Sequence, residues 1–254
     1  MPEETKGQTL QGVETAFMIV RHLRDRGPKT VTELASSLDL PKSTAYIHLK
    51  TMYEAGYLYK EDNEYRLSLQ FLDHGVAVRQ NFDIFHVAES EIDALAEETG
   101  EVANLGVEEN GKRVLLYISE GRDAIYDNAQ IGEFTNMHWT SLGKALLAHQ
   151  PEERIQEIID TYSLPESTAQ TITEPDVLFE DLAKIRDQGY AIEDEEHWES
   201  IRAVAVPILN EKAVVGAISV SGPKTRFSDE RIENELLDTL RNHANVIELK
   251  LTHY

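Results

Sequence analysis

The stretch LDLPKSTAYIHLKTMYEAGYLY, residues 38–59, restricts the fold of this chain more than any other segment. Residues 39–40 have the character of a turn, and Pro41 suits the first position of the following helix, where no N–H group is needed. A helical wheel drawn from Pro41 separates an apolar side from a polar side. The apolar side contains Ala45, Leu49 and Met52, and the polar side contains Ser43, Tyr46, Ile47 and Lys50. The stretch therefore predicts an amphipathic helix that is entered from a tight turn.

Two further helical patterns precede this helix. Residues 10–26 place apolar side chains at helical spacing, and the Gly-Pro pair at 27–28 ends the pattern. These apolar residues are Val13, Phe17, Val20 and Leu23. Thr30 and Glu33 form a capping box, which opens a second helix that runs to Leu38. Its inward side is expected to contain Leu34, Ala35 and Leu38.

A hairpin follows the three helices. After Gly56, residues 57–60 and 65–67 have strand character, and the polar residues 61–64 join them. Three helices, of which the last two meet at a tight turn, followed by a hairpin, predict a winged helix-turn-helix. In that fold the third helix enters the major groove of DNA. The alternative is a three-helix domain that makes only protein contacts.

The charge of the chain is divided unevenly, which reconciles a DNA-binding segment with a net charge of −22. Residues 1–80 hold 10 basic and 11 acidic side chains, whereas residues 81–254 hold 14 and 35. Within residues 20–50 the balance is +3. A large surface of one sign keeps a protein soluble but repels itself, a feature associated with halophiles. We therefore interpret the acidic part as an adaptation to a salty cytoplasm, with an ordinary acidic protein as the alternative.

Composition limits the remaining classes of protein. The chain has no cysteine, so disulfides, thiolate metal sites and thiol catalysis are excluded. No apolar run reaches about 18 residues, the length that would indicate a membrane-spanning helix. The polar start MPEETK is unlike a secretory signal. We expect a cytoplasmic protein without membrane contact.

Four segments together resemble one protein family. The stretch 38–59, followed by YRLS, resembles the N-terminal domain of the IclR family of transcriptional regulators. Three later segments resemble the effector-domain signatures of that family and occur in the same order. They are MHWTSLGKALLAH (137–149), GYAIEDEEHWESIRAVAVPI (189–208) and VVGAISVSGPKTRFS (214–228). The resemblance extends from Leu10 to Leu251 and implies an α+β protein, with an N-terminal winged helix-turn-helix and a C-terminal GAF-like α/β effector-binding domain.

The organisation of the chain is expected to follow this division. Residues 1–67 would form the DNA-binding domain, residues 68–83 a linker helix and residues 84–254 the effector-binding domain. Strand-like stretches lie at 102–108, 113–119, 190–193, 201–209 and 214–221. Helical patterns lie at 84–99, 140–149, 151–161, 175–187 and 228–251. The absence of a long βαβ alternation favours a sheet with helices packed on it.

Candidate DNA contacts lie on the polar side of the third helix and beside the hairpin. Hydroxyl and ammonium groups near a helix N-terminus suit phosphate oxygens, and side chains further along the helix would face base edges. The predicted DNA-binding residues are Lys42, Ser43, Thr44, Tyr46, Ile47, Lys50, Lys60 and Arg66. The family often has Arg where this chain has Ile47, and Ile favours contact with a thymine methyl group. The acidic hairpin tip argues against deep insertion into a groove.

The resemblance also implies where an effector binds. The family binds effectors at the helix start that corresponds to Thr140, where free N–H groups can hold a carboxylate. Its pocket acid corresponds to Glu193, and strand alternation points Ser219 and Ser221 in the same direction. The predicted effector-binding residues are Met137, Trp139, Ser141, Leu142, Gly143, Glu193, Ile201, Ala203, Ser219 and Ser221. For the first two of these, ordinary core packing is the alternative.

Two departures from the family bear on metal binding. Members often have cysteine where this chain has Ala203, and glycine where it has Ser200. Loss of the thiol argues against the metal site that some relatives carry. His138, His149 and His197 show no ligand spacing. We expect no metal, no cofactor and no catalytic residue.

The sequence therefore predicts a ligand-responsive regulator that binds double-stranded operator DNA as a homodimer, with a tetramer left open. Its effector is expected to be a small acid with a hydroxyl group. Ionised Glu193 would repel a bare carboxylate and accept a hydrogen bond from a hydroxyl. The alternatives are an architectural DNA-binding protein without an effector and an enzyme that acts on a small acid. The enzyme would need a nucleophile–base pair or paired acids, and no such motif is found.

Overall fold

The computed structural model describes residues 9–125, 129–211 and 213–252. The polar start at residues 1–6 lies outside these ranges. Within them, no helix is both long and apolar enough to cross a membrane. The chain divides into two compact units, Met1–Val78 and Arg79–Tyr254.

The N-terminal unit is a winged helix-turn-helix, as the sequence predicts. Its helices are α1 (Gln11–Arg26), α2 (Val31–Ser37), α3 (Lys42–Glu54) and α4 (Gln70–Arg79), the last of which ends at the boundary between the units. Its antiparallel strands are β1 (Lys29–Thr30), β2 (Leu58–Glu61) and β3 (Glu64–Leu67), in the spatial order β1-β3-β2. Strand β1 was not predicted, because two residues are too few to show the alternation of a strand.

Local signals in the sequence account for the turns of this unit. The capping box of α2 is confirmed, since the Glu33 N–H donates to Thr30 Oγ1 at 3.3 Å and the Thr30 N–H donates to the Glu33 carboxylate at 2.9 Å. Asp62 and Asn63 join β2 to β3 with φ angles of 47° and 69°. Two successive residues with positive φ match the right-handed twist of a hairpin, and Asp and Asn tolerate this conformation.

The core of the N-terminal unit forms where α1, α2 and α3 meet the hairpin. The buried residues are Ile19, Leu23, Leu34, Ala35, Ala45, Leu49, Leu58 and Tyr65. Of the four apolar residues that mark α1 in the sequence, Leu23 is buried and Val20 is half-buried, whereas Val13 and Phe17 are exposed. Helix α1 carries apolar side chains on more than one side, so periodicity predicted the helix without showing which side faces the core.

The C-terminal unit is built on a larger antiparallel sheet. Its strands are β4 (Val102–Glu109), β5 (Lys112–Glu120), β6 (Phe134–Asn136), β7 (Ala191–Asp194), β8 (Ile201–Asn210) and β9 (Ala213–Pro223). The spatial order is β6-β5-β4-β9-β8-β7. Five of these strands agree with the predicted stretches to within two residues at each end. Strand β6 was not predicted.

Helices cover both sides of this sheet. They are α5 (Asp83–Thr99), α6 (Ser141–Leu147), α7 (Glu152–Tyr162), α8 (Pro175–Gln188), α9 (Asp229–Arg231) and α10 (Leu237–Thr252). A π-helical turn at Ile232–Leu236 joins the last two. The long helix predicted at 228–251 is therefore present with one irregular turn, and the other predicted helices are confirmed.

The two sides of the sheet differ in the size of their side chains. The side that packs against α5 and α10 has large apolar residues, among them Leu105, Val206, Ile218 and Val220. The side that packs against α6, α7 and α8 has small ones, among them Ala191, Ala205 and Ala217. Gly106 belongs to this second side, and a Cβ atom there would lie 3.2 Å from the Leu142 side chain. Small residues under α6 leave space for a cavity.

Candidate functional site

The outer side of α3 is the first candidate site. Tyr46 and Ile47 are 49% and 61% exposed, although both are large side chains with apolar surface. Lys50 is also exposed, and its Nζ atom lies 3.6 Å from Oε1 of Glu54, the distance of a loose surface ion pair. The apolar side of α3 is buried in the core. The two sides that the helical wheel predicts are therefore confirmed by burial.

The start of α3 and the hairpin extend this surface. The predicted phosphate contacts at the helix start are exposed or half-buried, namely Lys42, Ser43 and Thr44. The guanidinium of Arg66 lies 4.5 Å from the ring centroid of Tyr59 and 4.0 Å from the Glu61 carboxylate. The ammonium of Lys60 lies 5.2 Å from the ring centroid of Tyr65. Because both cations remain exposed, neither is withdrawn from solvent by these contacts.

The second candidate site is a cavity between the sheet and α6 in the C-terminal unit. The empty space in it is about 550 Å³ with the open mouth included. Its polar lining residues are Asn104, Arg113, Glu133, Thr140, Ser141, Glu193, His197, Ser219 and Ser221. The remaining lining residues are Leu115, Ala129, Leu142, Trp198, Ile201 and Ala203.

Seven of the ten predicted effector contacts line this cavity. They are Ser141, Leu142, Glu193, Ile201, Ala203, Ser219 and Ser221. Met137, Trp139 and Gly143 do not line it. Met137 is buried in the core around α6, and a Cβ atom on Gly143 would lie 2.2 Å from the Met137 carbonyl oxygen. Close packing of the backbone, and not contact with the cavity, therefore accounts for the glycine.

The start of α6 has fewer available donors than the sequence suggests. The Gly143 N–H donates to Thr140 Oγ1 at 3.0 Å, and the Lys144 N–H donates to the Thr140 carbonyl at 2.9 Å. The backbone of Ser141 is close enough to the Glu193 carboxyl group to act against the rise in its pKa. At Gly143 and Lys144 the N–H groups are therefore engaged within the protein, in contrast to the free donors expected from the sequence.

Glu193 is 5% exposed and lines the cavity. Burial and the nearby Glu196 carboxylate raise the pKa of Glu193 to about 8, although Lys144 and the Ser141 N–H oppose this shift. Glu193 is therefore protonated at neutral pH. This differs from the ionised acceptor expected from the sequence, because the sequence does not show how completely this carboxyl group is removed from water.

A buried ion network lies behind the cavity. The Lys144 ammonium of α6 is 2.6 Å from Oε1 of Glu196 and 3.3 Å from Oδ2 of Asp181 on α8. Burial raises the pKa of Glu196, and the adjacent Lys144 opposes that rise. The network joins α6, α8 and the segment after β7, which also carries two residues of the cavity wall, His197 and Trp198.

Four aromatic rings stand side by side at this wall. They belong to His138, Trp139, His197 and Trp198, and successive ring centroids are 5.1, 5.2 and 4.9 Å apart. Burial, together with the positive charge of Arg113, lowers the pKa of His197 to about 4. His197 is therefore neutral near pH 7, and Trp139 supports the wall from behind the lining residues.

Polar groups converge on the opposite side of the cavity. Asn104 on β4 pairs with Ser219 on β9, and its Nδ2 lies 3.4 Å and 3.3 Å from the hydroxyl oxygens of Ser219 and Ser221. Oδ1 of Asn104 is buried and has no hydrogen-bond partner among the described residues. A buried acceptor of this kind favours a ligand that donates a hydrogen bond.

Comparison with known proteins identifies the architecture. The profile of the bacterial transcriptional regulator IclR C-terminal domain matches residues 76–249, and that of the IclR helix-turn-helix domain matches residues 12–62. The chain belongs to the IclR family. It is thus an IclR-type transcriptional regulator with a helix-turn-helix domain and a C-terminal effector domain, as the sequence predicts, and not an enzyme.

Individual IclR relatives match over nearly the whole chain. A probable HTH-type transcriptional regulator ArcR from Halobacterium salinarum is 32% identical over 247 residues, which is 95% of this chain and 94% of the relative. The crystal structure of the Thermotoga maritima IclR has a TM-score of 0.79 at 30% identity and covers 96% of this chain and 99% of its own. An IclR homolog from Microbacterium hydrocarbonoxydans, complexed with 4-hydroxybenzoate, shares the fold with a TM-score of 0.83 at 24% identity, over 96% of this chain and 100% of its own.

Sequence reasoning from the IclR resemblance missed part of the cavity lining. The functional groups that it missed are those of Asn104, Arg113, Glu133, His197 and Trp198. A weak signal was available for Asn104 and Arg113. Strand alternation in β4 and β5 points each of them to the same side of the sheet as the residue two positions later, Gly106 and Leu115. Nothing local indicated that β4 borders β9. Among the described residues, no three His, Asp or Glu side chains are grouped so as to hold a metal ion.

Proposed function

We propose that this regulator binds double-stranded operator DNA through α3. Its affinity for this DNA would fall or rise when a small hydroxylated organic acid binds in the cavity. The observation that supports the DNA contact best is the exposure of Tyr46 and Ile47 beside Lys50. Large side chains with apolar surface at such positions are stabilised when a partner covers them and removes them from water. A recognition helix of a winged helix-turn-helix places such residues against base edges.

The contacts divide into two kinds. Lys42, Ser43 and Thr44 lie at the N-terminus of the 13-residue helix α3 and would hold phosphate oxygens. Ile47 cannot donate a hydrogen bond, so it would contact a thymine methyl group in the major groove. Lys60 and Arg66 would contact the DNA backbone beside the hairpin. The tip residues of the hairpin are acidic and would remain outside the groove.

The DNA-binding form is proposed to be a homodimer, with a tetramer left open. Exposed apolar side chains on α1 and just before and along α4 support this, namely Leu10, Val13, Phe17, Leu69, Leu72 and Val78. Exposed apolar side chains that form a patch on a monomer mark contact surfaces. A dimer would also present two copies of α3, which suits an operator with two half-sites.

The polar lining of the cavity supports an acid with a hydroxyl group as the effector. Oδ1 of Asn104 would accept a hydrogen bond from the hydroxyl, and Ser219 and Ser221 can donate or accept. Protonated Glu193 does not repel an anion. The effector hydroxyl would therefore donate its hydrogen bond to Asn104 and not to a charged glutamate. The complex of the Microbacterium homolog with 4-hydroxybenzoate is an example of an acid with a hydroxyl.

The acidic C-terminal unit supports function in concentrated salt. At an ionic strength of about 1 M the Debye length is ~3 Å, so the acidic surface would hardly repel DNA. Under these conditions phosphate contacts weaken, and contacts from uncharged groups such as Tyr46 and Ile47 would carry more of the affinity.

Mapping the genomic sites that the protein occupies, with and without the effector, tests this function. We expect a small set of sites that share two half-sites. A double variant Tyr46→Ala/Ile47→Ala should lose these sites while keeping its fold. Binding that is spread evenly over the genome, or that survives in the double variant, would contradict recognition through α3. The genes beside the bound sites would indicate the pathway and so the effector.

A further inference from the structure

Arg113 occupies an unusual position in the cavity. It lies on β5 at 4% exposure, and Gly106 on the neighbouring strand β4 leaves space for its stem. A Cβ atom on Gly106 would lie 3.5 Å from both Cγ and Cδ of Arg113. Its Nη2 lies 3.6 Å from the Glu133 carboxylate, whose side chain is one-third exposed. A buried cation therefore lines the cavity, and a long ion pair joins it to a side chain that reaches solvent.

The charges of the other lining groups make Arg113 stand out. Glu193 and His197 also line the cavity, and burial leaves both uncharged near pH 7. Lys144 is buried behind the cavity and is paired with Glu196 and Asp181. Among the described lining residues, Arg113 is thus the one permanently charged cation, and the Glu133 carboxylate at the cavity wall pairs with it.

We propose that Arg113 is the residue that selects an anionic effector, and that the effector carboxylate replaces Glu133 as its ion-pair partner. This inference rests on the proposed effector binding in the same cavity and names the group that recognises the acid. The guanidinium offers several donors in a planar fork, so it can hold a carboxylate through two hydrogen bonds. At 3.6 Å, Glu133 does not make such a bond.

The exchange has a consequence for specificity. Because a single cation is available, an effector with one carboxylate is matched, whereas a second carboxylate would lie without a partner in a buried site. A neutral analogue would leave the Arg113–Glu133 pair intact and gain nothing from the guanidinium. The cavity should therefore distinguish a monoacid from its amide, although the two have nearly the same shape.

Matched acid and amide pairs test this selectivity in the full-length protein. The probes are lactate with lactamide, gluconate with gluconamide, and 4-hydroxybenzoate with 4-hydroxybenzamide, at constant ionic strength. Fluorescence reports binding, because Trp198 lines the cavity and Trp139 is stacked behind it on His197. At least one acid should bind more tightly than its amide, by roughly 10-fold or more, as expected for a charge-assisted hydrogen-bond pair.

Three variants separate the roles of the two residues. Arg113→Gln should reduce affinity for the acid to that of the amide and leave the amide unchanged. Glu133→Gln should tighten acid binding by up to about 5-fold, because it removes a competing surface carboxylate. Arg154→Gln is the matched control, since Arg154 pairs with Glu108 at 3.1 Å and does not line the cavity. It should bind acid like the parent.

Each remaining outcome contradicts the proposal. If no acid in the panel binds better than its amide, or if Arg113→Gln keeps the preference for the acid, Arg113 does not select the anion. If Arg113→Gln fails to fold, Glu133→Gln still decides, since unchanged or weaker acid binding in that variant contradicts the exchange. Effector binding without a preference for acids would contradict the role of Arg113 but not the proposed ligand cavity. Operator recognition is tested separately, by the map of genomic sites.

Discussion

The surface of α3 and the cavity under α6 obtain their chemistry in opposite ways. Tyr46, Ile47 and Lys50 are exposed on a helix whose other side is buried, so they meet a partner without any change in the core. Arg113 and Glu193 are almost fully buried, and their properties depend on neighbours from several strands and helices. The comparison shows that a site on one element can be located from periodicity, whereas a site between elements cannot.

The same contrast should appear in stability. Substitutions around the cavity act on groups that water cannot reach, so they should change the free energy of unfolding strongly. Substitutions on the α3 surface should change DNA affinity and leave the free energy of unfolding nearly unchanged.

The largest expected effect comes from the buried ion network. Lys144→Met should reduce the free energy of unfolding by about 3–5 kcal/mol, because it leaves Glu196 and Asp181 without their cation in a buried site. Denaturant unfolding of the full-length protein measures the change, with Lys184→Met, an exposed lysine on α8, as the control. An equally small change in the free energy of unfolding of both variants would show that substitutions around the cavity affect stability no more than substitutions on the surface.

A pH titration of stability tests the state of Glu193. Its folded pKa of about 8 lies above the model-peptide value of 4.5, so the folded state binds the extra proton between these values. Stability from this group is therefore present below pH 4.5 and is lost as pH rises through 8, with about 3–4 kcal/mol lost by pH 7. The difference between the parent and Glu193→Gln, measured by denaturant unfolding at each pH, should show this loss. A flat difference would mean that Glu193 is ionised in the cavity.

Two glycines give opposite expectations in the two units. Gly143→Ala should destabilise by at least about 1–3 kcal/mol, because its Cβ atom would meet the Met137 backbone at 2.2–2.7 Å. Gly75→Ala on α4 has open space and should stabilise by about 0.5–1 kcal/mol, since alanine favours a helix. Melting curves of both variants give the signs. The same sign in both would contradict the close packing assigned to the start of α6.

Substitution on the α3 surface should have the smallest effect on the free energy of unfolding and should act on DNA affinity instead. Lys50→Ala should weaken operator binding by about 1–3 kcal/mol if the ammonium contacts a base. If it contacts a phosphate, the slope of log K against log salt should fall by ~0.9. Titrations of labelled operator at several salt concentrations distinguish the two cases, and Lys184→Ala is the control. Equal losses in both variants would contradict the assignment of α3 as the recognition helix.

Much of the fold could be predicted from the sequence. The capping box at Thr30, the turn before Pro41 and the hairpin at 61–64 depend on residues within a few positions of one another. Burial separates the two sides of α3 as the helical wheel does. Strand β6 escaped because three residues show no periodicity, and the inward side of α1 was ambiguous because apolar side chains occur on more than one side.

The cavity shows what depends on the tertiary structure. Asn104 meets Ser219 across 115 positions of the chain, because β4 lies beside β9 in the sheet. The protonation of Glu193 follows from burial, and the engagement of the Gly143 N–H follows from the placement of Thr140. Helix periods and caps are local, so the sequence contains them directly. The lining and charge of the cavity arise where distant strands meet a helix that excludes water, so they were decided only when the chain had folded.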